Sequence, residues 1–168
     1  MSGINGLFSE KKEMALQSIE EARERGTLEW VRPLLEAYRD RPEEDVRNEI
    51  GEMLGSLKIS EAASVLSDAL EDPEFESLRA DIIRFLWSCG FQSEDDLRAV
   101  VSNAVDGDFA CAMEALTWVE ELERADDENI LLDSILLVRG ALDEEPGDER
   151  KPLFQAMLSA LQGLERDQ

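Results

Sequence analysis

Acidic residues are the only side chains abundant enough to suggest acid–base chemistry, because the chain contains no histidine. The absence of histidine excludes His-based metal sites, Ser-His-Asp triads and histidine general bases. The ten glycines are scattered and form no phosphate-binding loop. With 40 Asp and Glu, acidic and basic residues meet at helical spacing by chance, as in Glu43/Arg47 and Glu120/Arg124. We therefore predict no catalytic residue, metal ligand or cofactor, and interpret such pairs as solvated faces or ion pairs.

The two cysteines are predicted to be reduced core residues. Cys89 and Cys111 lie 22 positions apart in helical segments and lack Cys-x-x-Cys spacing. Free cysteine behaves as a small apolar residue. The alternative, a disulfide or redox pair, would require a lowered thiol pKa, and the flanking residues supply no obvious cause for one.

The three tryptophans, Trp30, Trp87 and Trp118, fall in three different helical segments. Each has apolar neighbours at helical spacing, so we interpret them as core residues. The alternative is that Trp30 or Trp118 is exposed, in which case it would be the best anchor for a partner protein.

The charge of the chain limits its partners. Lys and Arg number 17 against 40 acids, which gives a formal net charge of -23. Nucleic acids and anionic membranes both draw affinity from basic residues, so we expect neither to bind directly. The first residues form no signal peptide, and we expect a cytoplasmic location. Only four lysines are present, so adaptation to a salty cytoplasm is an alternative explanation of the acidity.

Helical periodicity dominates the sequence and predicts an all-α fold. Residues 1–9 are expected to be a flexible N-terminal segment, and residues 10–168 a single domain. Turn residues divide this domain into nine helical segments: 10–25, 27–40, 42–57, 60–71, 73–89, 93–106, 108–124, 127–144 and 148–165. These segments form about four helix pairs and one closing helix.

A degenerate motif occurs at residues 42–54 and again, 32 positions later, at 73–86. The shift carries Val46, Arg47, Ile50 and Leu54 onto Leu78, Arg79, Ile82 and Leu86. The apolar members share one helix face, which is predicted to be buried. Such a repeat is typical of stacked helix pairs.

The motif and the following Ala-x-x-Val-Leu-x-x-Ala-Leu-Glu-Asp segment at 62–72 resemble HEAT repeats. The resemblance covers residues 42–106 best and is looser on either side. It implies a right-handed αα superhelix, or HEAT-like solenoid, with second helices on the concave side. It also implies that Arg47 and Arg79 are structural, bridging neighbouring repeats through helix-end carbonyls or acids; binding of a ligand is the alternative.

The segment 127–144 is apolar around most of its circumference, so it needs cover on more than one side. The segment 148–165 carries a stripe of apolar residues, including Met157 and Leu161, and is predicted to cover it as a C-terminal capping helix.

The polar face of the second helices is the predicted binding surface. Its residues are Glu29, Arg32, Glu36, Glu61, Ser64, Asp68, Asp96, Asn103 and Asp106. Stacked on the concave side, they would form an electronegative groove that attracts a basic protein or peptide. The alternative is that any exposed face of so acidic a chain is acidic.

These features predict a non-enzymatic protein-binding scaffold or adaptor. One alternative is a lyase-like enzyme with a concave hydrophobic groove, which would need aromatic residues and a buried carboxylate. Another is an acidic mimic of nucleic acid. HEAT-like architecture does not distinguish these activities.

Overall fold

A computed structural model describes residues 3–166 of the chain. This part is all-helical, as predicted, with nine α-helices and no β-strand among the described residues. The helices are α1 (Lys12–Arg25), α2 (Val31–Asp40), α3 (Glu44–Leu54), α4 (Ala62–Glu71), α5 (Arg79–Cys89), α6 (Leu97–Asp106), α7 (Phe109–Glu121), α8 (Glu128–Asp143) and α9 (Lys151–Arg166). None of the helices within residues 3–166 has both the length and the apolar content needed to cross a membrane.

The helices group into two compact units where the sequence predicts one domain. The N-terminal unit ends at Leu78 and contains α1 to α4, and the C-terminal unit begins at Arg79 and contains α5 to α9.

Three α-helices begin four to six residues later than their sequence patterns predict. Short 3-10 helices at Leu28–Trp30, Pro73–Leu78 and Glu94–Asp96 precede α2, α5 and α6. Side-chain caps hold two of these tighter turns: Ser93 Oγ accepts the N–H of Asp95, and Asp72 Oδ1 accepts the N–H of Glu74 at 2.9 Å. Hydrophobic periodicity does not separate a 3-10 turn from the first turn of an α-helix.

Several helix ends follow from single residues. Gly90 ends α5 with φ 76°, a left-handed conformation that glycine adopts without a steric penalty. Asp108 accepts the N–H of Cys111 at the start of α7, and Asp127 accepts the N–H groups of Asn129 and Ile130 at the start of α8. Each carboxylate satisfies backbone donors that the first helical turn leaves free.

In the N-terminal unit, α1 packs against α3, and α2 packs against both α3 and α4. The motif residues Val46, Ile50 and Leu54 have no exposed surface, which confirms the predicted buried face of α3. The unit therefore buries the apolar faces that helical spacing indicated.

Residues 3–9, which the sequence predicts to be flexible, pack onto this unit. Ile4–Phe8 forms a 3-10 helix with Leu7 fully buried. Arg41, itself 8% exposed, donates to Leu7 O at 2.8 Å and to Ser9 O at 2.7 Å. Ser18 Oγ adds a hydrogen bond to Gly3 O at 2.8 Å. Residues 1 and 2 lie outside the described range.

In the C-terminal unit, α5 packs against α7, α6 against α8, and α9 against both α7 and α8. Trp118, Phe85 and Phe154 are its largest fully buried side chains. The second copy of the motif contributes Ile82 and Leu86, which are also fully buried.

Candidate functional site

Six of the predicted binding residues lie in the N-terminal unit, on two helices that pack together. Glu29 and Arg32 are exposed and Glu36 is half-buried, at or just before α2. Glu61, Ser64 and Asp68 are exposed at the start and along the surface of α4. Because α2 packs against α4, these six residues lie on or beside two neighbouring helices.

A row of exposed residues runs along α4, and we call it the α4 face: Glu61, Ser64, Asp68 and Glu71. Their spacing of three, four and three positions keeps them on one side of the helix over about 15 Å. The opposite side of α4 is anchored by Ala62, Leu66, Ala69 and Leu70, all buried. The carboxylates are therefore held by a helix whose other side is fixed in the core.

In the part of the chain that the structure describes, the acids of the α4 face lack cationic partners. No Lys or Arg among residues 3–165 forms an ion pair with Glu61, Asp68 or Glu71. Ser64 is exposed, and its Oγ donates to Glu61 O at 3.0 Å. The α4 face thus carries uncompensated negative charge.

Arg32, one of the predicted binding residues, is exposed but pairs with acids of its own unit. Its guanidinium lies 3.2 Å from Asp72 and 3.0 Å from Glu74, and 4.9 Å from the ring centroid of Phe75. Arg39 contacts the same segment. It donates to Glu74 O at 3.1 Å, and its guanidinium lies 5.3 Å from the ring centroid of Phe75. The two arginines therefore hold the segment after α4 against α2.

The other three predicted residues lie in the C-terminal unit. Asp96 is half-buried just before α6, and Asp106 is exposed at the end of that helix. Asn103 Nδ2 donates to Ala99 O at 2.7 Å, one turn earlier, so its amide is already in use. The structure brings together the first six predicted residues and assigns these three to the other unit.

The repeated arginine of the motif has a structural contact in its first copy. Arg47 Nε donates to Tyr38 O at 2.9 Å, and its guanidinium lies 4.9 Å from the Tyr38 ring centroid. The partner is a backbone carbonyl near the end of α2, one of the two partner types that the resemblance implied. In the second copy, Arg79 Nη1 is buried without a hydrogen-bond partner among the described residues.

In the C-terminal unit, Arg150 also donates to backbone carbonyls near a helix end, as Arg47 does in the N-terminal unit. The sequence did not predict this contact. Its Nη2 donates to Val105 O at 2.7 Å and to Ala104 O at 3.2 Å, at the end of α6. No local pattern marks Arg150, because its partners lie 45 and 46 positions away.

The tryptophans are core residues rather than exposed anchors. Trp30 is 9% exposed and Trp118 is fully buried. Trp87 is half-buried and donates its indole N–H to Glu114 Oε2 at 2.8 Å. Trp30 or Trp118 would anchor a partner only if it were exposed, and neither is.

The two cysteines are not joined in a disulfide; Cys111 is buried as predicted, whereas Cys89 is only half-buried. Burial raises the pKa of Cys111 to about 11, and the neighbouring Asp108 carboxylate adds to the increase. A thiol with this pKa is protonated at neutral pH and reacts slowly. Within the described residues, no group of three or more Cys, Asp and Glu side chains could hold a metal ion.

Each unit contains a hollow that is partly lined by apolar residues of the described range. The first, of about 250 Å³, is lined by Trp30, Leu34, Met53, Leu57 and Ile59 together with Arg23 and Lys58. Its described lining includes no carboxylate. The lyase-like alternative requires a carboxylate beside aromatic residues, so this hollow gives it no support.

The second hollow, of about 400 Å³, exposes part of α8 that the sequence predicted to be covered. Leu131, Leu132 and Ile135 line it, with Glu128 and Glu165 beside them. On the same helix, Leu132 is 52% and Leu136 is 53% exposed. Helix α9 therefore covers one side of α8 but leaves a leucine stripe in solvent.

Comparison of the chain with models of protein families, with curated proteins and with solved structures yields no match.

Proposed function

We propose that the protein is a non-enzymatic protein-binding module whose α4 face captures a basic segment of another protein. The observation that carries this proposal is the row of exposed carboxylates on α4 without cationic partners. A row of like charges on a fixed helix is costly to leave unmatched, and a basic segment relieves the repulsion among them.

We further propose that each unit is built from stacked helix pairs of the HEAT-like solenoid type. Helices two apart in sequence pack together in both units: α1 with α3, α2 with α4, α5 with α7 and α6 with α8. This is the neighbour pattern of stacked helix pairs, in which first helices contact first helices and second contact second. The carbonyl contact of Arg47 is a further point in favour, since it ties one pair to the next.

The engagement of Arg32 strengthens the proposed surface. A free arginine beside the α4 face would repel a basic partner. Because Asp72 and Glu74 neutralise Arg32, its charge is compensated within the unit. The carboxylates of α4 therefore dominate the local potential, which speeds the capture of basic segments and makes binding sensitive to salt.

The test is a charge-reversal series with a labelled peptide of alternating lysine and serine as the probe. The triple variant Glu61→Lys/Asp68→Lys/Glu71→Lys removes the α4 face, and Glu120→Lys/Glu121→Lys/Glu123→Lys makes the same change in net charge on exposed acids of the other unit. Fluorescence anisotropy at low and high salt measures the dissociation constant of each.

We expect the α4 variant to bind the peptide about ten-fold or more weakly, the control variant less than about three-fold, and salt to weaken binding by the wild type. Equal losses in the two variants would mean that net charge alone attracts the peptide. That result, or unchanged binding by the α4 variant, would overturn the proposed site.

A further inference from the structure

We propose a second docking site, independent of the α4 face: the leucine stripe of α8, which we define as Leu132 and Leu136, receives an amphipathic helix of another protein. The basic end of that helix lies over Glu128 and Glu165.

The two leucines of the stripe form one apolar surface, because they are neighbours on the helix. Leu132 and Leu136 stand one turn apart, so their side chains are neighbours on the helix. Each exposes more than half of its surface. Leu132 also borders the hollow of about 400 Å³, where Leu131 and Ile135 supply an apolar lining. Single exposed leucines are common, but a contiguous apolar patch beside a hollow marks a binding surface.

The described part of the chain does not cover this stripe. Helices α6 and α9 pack against α8 and bury Leu131, Ser134, Ile135, Val138 and Ala141. Leu132 and Leu136 point away from that buried side. One side of α8 is therefore buried by α6 and α9, while the side that carries Leu132 and Leu136 is exposed to solvent.

The charge around the stripe identifies the occupant as basic. Glu128 and Glu165 line the hollow at the beginning of the stripe. A second copy of this chain would bring the same glutamates and a net charge of -23, so like charges would oppose self-association. A partner with Lys or Arg beside its apolar residues can pack its apolar side chains on the leucines and pair its basic side chains with the glutamates.

The far end of the stripe sets the direction of the bound helix. Arg139 is exposed and follows Leu136 by about one turn, and its charge offsets that of the exposed Asp143 one turn further on, so this end of the stripe is less negative than the end at Glu128 and Glu165. Gly140 beside it would have open space around an added Cβ, which leaves room for a close approach. Asp133, on the flank, is engaged by Arg98 at 2.9 Å. The basic end of the partner therefore belongs at Glu128.

A helix suits the surface better than an extended segment. Apolar residues at i and i+4 of a partner helix match the single-turn spacing of Leu132 and Leu136, as in other complexes where a helix lies in an apolar groove. Residues 3–166 contain no strand whose edge could pair with an extended peptide.

The experiment uses three helix-forming peptides with leucines at i, i+4 and i+7: one with lysines at one end, one with glutamates there, and one with neither. Binding is measured by anisotropy to the wild type, to Leu132→Asn/Leu136→Asn, and to Met113→Asn, a control that alters a comparably exposed apolar residue of α7. Thermal melts verify that the surface variants remain folded.

We expect the lysine peptide to bind best, and to bind the leucine variant about ten-fold more weakly than the control. Glu128→Lys/Glu165→Lys should shift the preference toward the glutamate peptide. The triple α4 variant should retain lysine-peptide binding that depends on Leu132 and Leu136, which separates this site from the α4 face.

Three results would overturn the proposal. The first is no binding of the lysine peptide at millimolar concentration, and the second is equal binding by the wild type and the leucine variant. The third is self-association of the wild type, measured by sedimentation velocity, that the leucine variant abolishes, because the occupant would then be a second copy.

Discussion

The two compact units stabilise similar helix pairs with different side chains. In the N-terminal unit, arginines lie over aromatic rings or donate to backbone carbonyls at four places: Arg32, Arg39, Arg41 and Arg47. In the C-terminal unit, only Arg84 and Arg150 do so among the described residues: Arg84 lies over Phe85, and Arg150 lies over Phe154 and donates to the carbonyls of Ala104 and Val105. The N-terminal unit therefore uses more arginine contacts of this kind, whereas the C-terminal unit holds three of the four largest fully buried side chains.

The surfaces of the two units differ in a corresponding way. The N-terminal unit exposes the carboxylates of the α4 face, while the C-terminal unit exposes the leucine stripe of α8. Salt weakens interactions between exposed charges and leaves apolar burial intact. One acidic chain therefore offers two proposed binding modes that ionic strength separates.

The largest expected effect tests the aromatic core of the C-terminal unit. Trp118 is fully buried, so Trp118→Ala should lower the free energy of unfolding by about 3–5 kcal/mol through lost burial and the cavity it leaves. Trp118→Phe should cost less, because the indole N–H has no hydrogen-bond partner among the described residues. Urea denaturation measures both; a cost below about 1 kcal/mol for the alanine variant would contradict the comparison.

The next effect tests the arginine contacts of the N-terminal unit. Arg41→Ala removes the donors to Leu7 O and Ser9 O and the pairing with Glu43, and should cost about 2–3 kcal/mol. Hydrogen exchange should accelerate in residues 3–9. Arg124→Ala is the matched control, since that side chain is 76% exposed and solvent screens its ion pair with Asp126, so the substitution should change the free energy of unfolding much less. If the two substitutions lowered the free energy of unfolding equally, the arginine contacts of the N-terminal unit would have no special role in its stability.

The smallest effect concerns the cap of α7. Asp108→Ala should cost about 1 kcal/mol at neutral pH, whereas Asp108→Asn keeps a capping oxygen and should be nearly neutral. The hydrogen bond from the Cys111 N–H lowers the pKa of Asp108. The pKa of Asp108 is thus lower in the folded state than in the unfolded state. The stabilisation that the cap gives the folded state is therefore complete above the unfolded-state pKa and is lost as the pH falls through the folded-state pKa.

Urea denaturation at a series of pH values checks this dependence. The difference between wild type and Asp108→Ala should shrink below about pH 4, near the unfolded pKa of an aspartate. A difference that stays constant down to pH 2 would show that the carboxylate charge is not involved.

Local patterns predicted the helices and their buried faces well. Val46, Ile50 and Leu54 recur at helical spacing and are fully buried, and Ser93 caps the 3-10 turn at the predicted start of the segment 93–106. These features depend on neighbours within a few positions, which the sequence displays directly.

Long-range contacts could not be predicted in the same way. Arg32 looked like a free surface residue, but its partner Asp72 is 40 positions away. Leu7 looked like part of a loose terminus, and the guanidinium that holds it is 34 positions away. Nothing in the periodicity of α8 indicated that Leu132 and Leu136 would be the residues left uncovered.

The distribution of the tryptophans gives each unit its own optical reporter. Trp30 is the sole indole of the N-terminal unit, while Trp87 and Trp118 belong to the C-terminal unit. Trp118 is fully buried and Trp87 donates to the carboxylate of Glu114, so the polarity around each ring differs. Chains that retain a single tryptophan would therefore report by fluorescence emission which unit opens first as denaturant is added.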